Sequence, residues 1–142
     1  MAPVTEDFYS KFLSSILPKT EYKIVQLAGD ASSRKYYRVI AGGQSWVLMR
    51  WEPFDPNNYP FLSVLEHLEK HLVRVPEVVG MDPKTGLVLL EDLGDLTLER
   101  KFWESQNPEN VIPYYHKTLD ELANIHFQAT EDKTECTAFK IM

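Results

Sequence analysis

The sequence predicts an α+β domain built on one five-stranded antiparallel sheet. Three observations predict it. Three alternating stretches follow one another between residues 21 and 51 with only short turns between them. Two more strand-like stretches lie at 75–82 and 86–94. Before, between and after these strands, apolar residues recur at helical spacing. A sheet face and an amphipathic helix each need cover, and a helix packed on the sheet supplies both.

The elements follow in order. Thr5 caps a helix over 6–17 that puts Phe8, Phe12, Leu13 and Ile16 on one face, and Pro18 follows its end. "EYKIVQLA" (21–28), "RKYYRVIA" (34–41) and "QSWVLMRW" (44–51) alternate as strands. Gly42-Gly43 is a two-residue hairpin signal between the last two. Three prolines in "EPFDPNNYP" (52–60) forbid regular structure there. "FLSVLEHLEKHL" (61–72) returns to helical spacing through Phe61, Leu65, Leu68 and Leu72. The turn "DPKTG" joins the fourth and fifth strands. Two helices close the pattern at 96–105, with Asp95 or Thr97 as cap, and at 108–128, with Asn107-Pro108 as cap and first turn. The second carries an apolar stripe of Val111, Tyr115, Leu119, Leu122 and Ile125.

Composition narrows the function classes. With 142 residues, 44% of them hydrophobic, the chain can build one ordinary core. A net charge of −6, without a run of Lys or Arg, argues against nucleic acid as a partner. Cys136 is the single cysteine, so no disulfide forms within the chain, and a reducing, cytoplasmic setting is expected. The amphipathic start has no long apolar run, so neither a signal peptide nor a membrane span is expected.

Four stretches carry a resemblance: "GDASSRKYYRV" (29–39), "VLMRWEP" (47–53), "VPEVVGMD" (75–82) and "LVLLEDLGD" (87–95). In this order the chain resembles the aminoglycoside phosphotransferase-like small-molecule kinases, whose small lobe is protein-kinase-like. Among them it is most similar to the bacterial N-acetylmuramate/N-acetylglucosamine anomeric sugar kinases. The resemblance implies a nucleotide-binding lobe with hinge over 1–94 and the start of a C-terminal lobe over 95–142. It implies ATP and Mg2+ as cofactors and an amino sugar as substrate. The loop Gly29, Asp30, Ala31, Ser32, Ser33 and Arg34 would lie over the phosphates, its small residues letting backbone N–H groups come close. Met49 would belong to the nucleotide site as well. Leu90, Glu91, Asp92 and Leu93 would form the hinge and meet the adenine edge through backbone, so their side chains would matter little.

The chain also departs from the pattern. Kinases of this fold carry a third-strand lysine paired with a glutamate on the next helix. Here Met49 and Phe61 fall at those positions. The sugar kinases it resembles also lack that lysine. Arg34, Arg38 and Arg50 are the candidate phosphate cations; alternation turns Arg50 away from the Met49 face, which favours Arg34. The His-x-Asp-x-x-x-x-Asn catalytic loop and the metal motif of such kinases are expected beyond Met142. The 142 residues are therefore expected to be inactive alone, and to self-associate through surface that a missing C-terminal lobe would cover.

Other motifs have plainer readings. "HKTLDELAN" presents His116, Asp120 and Asn124, but inside a strong helical pattern and at the wrong His–Asp spacing. His67 and His71, four apart, read as a surface pair without a third metal ligand, and no metal site is expected. Glu66 pairs naturally with Lys70, although Glu66 or Glu69 is also a candidate for the missing helix acid. Trp46 reads as strand packing; Trp51 and Trp103 have no assigned role. The alternative function is a non-catalytic nucleotide- or protein-binding module derived from a kinase lobe.

Overall fold

The computed structural model describes residues 6–17, 21–27 and 33–133. Its described residues divide between two compact units, 1–55 with 76–92 and 56–75 with 93–142.

The first unit is the sheet with one helix. Helix α1 (Glu6–Ile16) precedes β1 (Tyr22–Gln26), β2 (Lys35–Ala41), β3 (Gln44–Arg50), β4 (Val78–Asp82) and β5 (Leu87–Glu91). The strands lie in the order β1-β2-β3-β5-β4, and every neighbouring pair is antiparallel. The expected α+β class and five-stranded sheet are present, each strand shorter than its sequence stretch by one to four residues. Gly42 and Gly43 turn the β2–β3 hairpin with φ of 57° and 79°, left-handed values that suit glycine at both central positions.

Side chains directly opposite in an antiparallel ladder share a face. One row is Tyr37, Leu48 and Leu89; the adjacent row is Arg38, Val47 and Leu90. The first face carries the main core, in which Tyr9, Phe12, Leu13 and Leu17 pack on Tyr37, Val39, Leu48, Leu87 and Leu89. The stripe on α1 is thus set one residue on from the expected Phe8. Phe8 remains 39% exposed, while Tyr9 is 3% exposed. The Tyr9 hydroxyl accepts a hydrogen bond from Arg50 at 3.2 Å, and both rings lie against the Arg50 guanidinium.

Beyond β3 the chain is held to the β4–β5 turn: Trp51 N donates to Gly86 O and Phe54 N to Pro83 O. Gly86 has φ of 72°, and an added Cβ would run into the carbonyls of Trp51 and Glu52. No other residue fits there without moving that segment.

The second unit is helical. A 3-10 turn (Pro56–Asn58) leads to α2 (Pro60–Lys70), followed in this unit by α3 (Leu98–Glu104) and α4 (Ile112–Asn124). On α2 the buried residues are Leu62 and Leu65. Leu72, expected in its stripe, lies past the helix end with φ of 61° and is 84% exposed. Thr97, not Asp95, caps α3: its Oγ1 accepts from Arg100 N. The single helix expected at 108–128 is three pieces. Asn107 caps a 3-10 turn at Pro108–Asn110, α4 follows, and a π turn occupies Ile125–Ala129. Pro108 and Pro113 each remove a backbone donor, so the 3-10 turn ends at Val111, whose N donates to Pro108 O, before α4 starts. Val111 is buried, but Tyr115, Leu119 and Leu122 are exposed along α4.

Candidate nucleotide site on the sheet

The second face of the sheet is apolar at its centre and charged at its border. Met49, Val88 and Leu90 are buried. Met49 and Val88 are direct ladder partners. Next to them Arg38 forms a two-pronged ion pair with Asp92: Nε donates to Oδ2 at 2.6 Å and Nη2 to Oδ1 at 3.0 Å. The Asp92 side chain is 4% exposed and that of Arg38 20%. The pair reaches from β2, past Val47 of β3, to the residue that follows β5.

The end of β5 is fixed from its other edge as well. Glu91 N donates to Glu77 O at 2.8 Å, and Glu91 Oε2 accepts from Glu77 N at 3.2 Å. The expected hinge residues Leu90, Glu91 and Asp92 are therefore placed by three contacts, two of them through side chains. The expectation that hinge side chains matter little does not account for Asp92.

The three candidate cations separate. Arg50 lies on the α1 face, as strand alternation implied, and is occupied by Phe8 and Tyr9. Arg38 lies on the Met49 face and grips Asp92. Arg34 rests on the Trp51 ring, its guanidinium carbon 5.1 Å from the centroid. Trp51 Nε1 also donates to Ser33 Oγ at 3.0 Å. Trp51 thereby acquires a role the sequence alone did not suggest: it anchors the C-terminal end of the candidate phosphate loop. Gly29, Asp30, Ala31 and Ser32 lie outside the described residues. Leu93, assigned with the hinge, falls in the second unit and is 62% exposed.

On the α1 face an open groove of about 630 Å³ runs between α1 and β4, with Phe8, Lys11, Ser15, Met81 and Asp82 among its lining residues. It contains none of the expected nucleotide residues.

In the second unit His67 and His71 are half-buried, not surface residues. Their rings lie 4.8 Å apart. His67 Nε2 lies 2.6 Å from Ala129 O, and since a carbonyl only accepts, that nitrogen carries the proton. His71 Nε2 lies 2.9 Å from Asp132 Oδ2. With Asp132 they form a group of metal-ligating types. Lys70, expected to pair with Glu66, instead places Nζ 3.0 Å from the same Oδ2. Through Asp132 and Ala129 the cluster ties the end of α2 to the segment after α4. His116, Asp120 and Asn124 lie along α4, the first two exposed, with no loop to bring them together.

The profile of the phosphotransferase enzyme family matches residues 23–136, well over half of the chain. The chain belongs to the phosphotransferase enzyme family. Three relatives are each named N-acetylmuramate/N-acetylglucosamine kinase. That of Pseudomonas aeruginosa is 31% identical over 109 residues, covering 77% of this chain and 30% of the relative. That of Neisseria meningitidis serogroup B is 32% identical over 121 residues, covering 84% and 36%. That of Caulobacter vibrioides is 30% identical over 131 residues, covering 73% and 35%. The chain spans about a third of the length of the curated relatives it matches. As a phosphotransferase-family chain it has the kinase-like small-lobe sheet that the resemblance implied. Among the described residues no helix is long and apolar enough to cross a membrane.

Proposed function

We propose that this chain is the nucleotide-binding part of an ATP-dependent kinase that phosphorylates a hydroxyl of an amino sugar of cell-wall type. The observation that carries the reading is the family match over 23–136, laid on a sheet whose fifth strand runs into the Glu91–Leu93 segment. The relatives' names supply the sugar.

In this reading residues 1–94 form the nucleotide lobe with hinge, and 95–142 begin the C-terminal lobe. The adenine edge meets backbone at the end of β5, at Glu91 and Asp92, with Met49 and Leu90 as the apolar wall behind it. The loop 29–34 covers the phosphates, and Arg34 contributes the cation that Met49 cannot. Mg2+, when bound, neutralises phosphate charge during transfer. Asp92 is assigned to Arg38, which donates to each of its carboxylate oxygens. The 142 residues contain no His-x-Asp-x-x-x-x-Asn sequence. The base and metal ligands are accordingly assigned to residues outside these 142, which alone are expected to be inactive. Exposed Leu119, Leu122 and Phe127 fit that assignment, as surface that further chain would cover.

A second reading, a binding module without catalysis, starts from the fully buried Met49 at the lysine position, a feature shared with the sugar kinases the chain resembles. One assay separates the two. Full-length protein is incubated with ATP–Mg2+ and N-acetylmuramate or N-acetylglucosamine, and sugar phosphate is measured beside the 142-residue chain. The kinase reading expects sugar-dependent phosphate transfer by the full-length protein and none by the chain. ATP binding without transfer to any amino sugar would establish the second reading instead.

A further inference from the structure

We infer that Arg38 is a positioning residue for base recognition: through Asp92 it fixes the backbone that would receive the adenine. The inference rests on the nucleotide reading above and assigns to the site a residue outside the phosphate loop and the hinge.

Desolvating two charges is unfavourable, and an apolar pair of similar volume would serve stability at least as well. Yet this pair is set at the border of a face whose centre is Met49, Val88 and Leu90, with the Asp92 carboxylate almost fully buried. The geometry indicates what the pair supplies. Two parallel N–H···O bonds, 2.6 and 3.0 Å long, fix direction as well as distance. Asp92 is the first residue past β5, where no ladder bond constrains the chain. On the other edge, the Glu77 backbone holds Glu91, its carbonyl accepting from Glu91 N and its N–H donating to the Glu91 carboxylate. Together these contacts set the path of the strand exit before any ligand arrives. A prepared backbone loses less freedom on binding, which raises affinity for the group it recognises.

The same geometry assigns Arg38 to Asp92 in preference to the phosphates. Its fork is spent on a carboxylate at the end of β5, 54 residues away in sequence. A lysine could keep the charge but not the two-pronged orientation.

The test uses full-length protein with Arg38→Lys, Asp92→Asn and the double variant. Dissociation constants for ATP and for adenosine, the KM for the amino sugar, and the thermal midpoint are measured for each. Either single variant should weaken ATP and adenosine alike by about tenfold, in line with loss of hydrogen bonds to a charged group. The double variant should be no worse than the weaker single one, and the KM for the sugar should stay within about twofold. Loss of ATP affinity with adenosine unchanged would make Arg38 a phosphate contact and overturn the inference. A lowered thermal midpoint with both affinities unchanged would make the pair purely structural and overturn it too. Failure of the wild-type protein to bind either ligand would overturn the nucleotide site itself, and this role with it. If Asp92→Asn does not fold, Arg38→Lys, which keeps the charge, decides alone.

Discussion

The two faces of the sheet are both buried at their centres, yet they are made differently. The α1 face is filled by Tyr9, Phe12 and Leu13 against Tyr37, Leu48 and Leu89, and its one arginine, Arg50, is packed between aromatic rings. The Met49 face has an equally apolar centre, but a buried carboxylate stands at its border, held by Arg38. Core physics accounts for the first face completely. It does not account for a desolvated ion pair at the end of β5, where hydrophobic residues would hold the strand as well. The contrast teaches where to look for function: on the face whose chemistry stability does not require.

The largest expected effect breaks the α1 face. Leu48 and Leu89 have no exposure, and Leu48→Ala should destabilise the first unit by about 2–5 kcal/mol in denaturant unfolding. The protein that remains folded should bind ATP with unchanged affinity. A parallel loss of affinity in the folded fraction would mean that the faces are not independent.

Gly86→Ala comes next. Its left-handed backbone and the crowding by the Trp51 and Glu52 carbonyls should give a loss of about 1–3 kcal/mol. Because Trp51 carries Ser33 and Arg34, this variant should also weaken ATP binding, unlike Leu48→Ala. Unchanged ATP affinity would detach Trp51 from the site.

Arg34→Ala sharpens the assignment of cations. It should weaken ATP by about tenfold while leaving adenosine and the thermal midpoint unchanged. This pattern differs from that expected for Arg38→Lys in sparing adenosine, and equal losses for the two ligands would remove Arg34 from the phosphate role.

The smallest effect tests the α1 face by pH. Burial, reinforced by the neighbouring Tyr37 hydroxyl and opposed by Arg50, raises the Tyr9 phenol above its ordinary value of 10.0. The native state therefore keeps that proton to higher pH than the unfolded chain does. The resulting stabilisation is fully present below pH 10 and is lost as pH rises through the folded value. Tyr9→Phe should change stability by roughly 1 kcal/mol or less at neutral pH and flatten this alkaline decline. An unaltered decline in the variant would place its origin elsewhere.

Much of the sheet was legible in the sequence because period-2 alternation and turn chemistry are local. Gly42-Gly43 marked the hairpin, and alternation put Arg50 and Met49 on opposite faces. The phase of α1 was less legible, since Phe8 and Tyr9 are both aromatic and only packing selects Tyr9 for the interior. The break in the helix at 108–128 was signalled by Pro108 and Pro113, whose missing donors an apolar stripe conceals. The Arg38–Asp92 pair was not legible at all. Arg38 lies on β2 and Asp92 just past the end of β5, with β3 between those strands, and the register that joins them exists only in the assembled sheet. The loop 29–34 was read by likeness to a family, and its role rests on the experiments above.

Amide hydrogen exchange of the full-length protein, with and without ATP–Mg2+, tests most directly which face of the sheet holds the nucleotide. The account predicts slowed exchange in 29–34 and 90–94, with the α1–β4 groove around Ser15 and Met81 unchanged. Protection of the groove, with 90–94 exchanging as before, would contradict it.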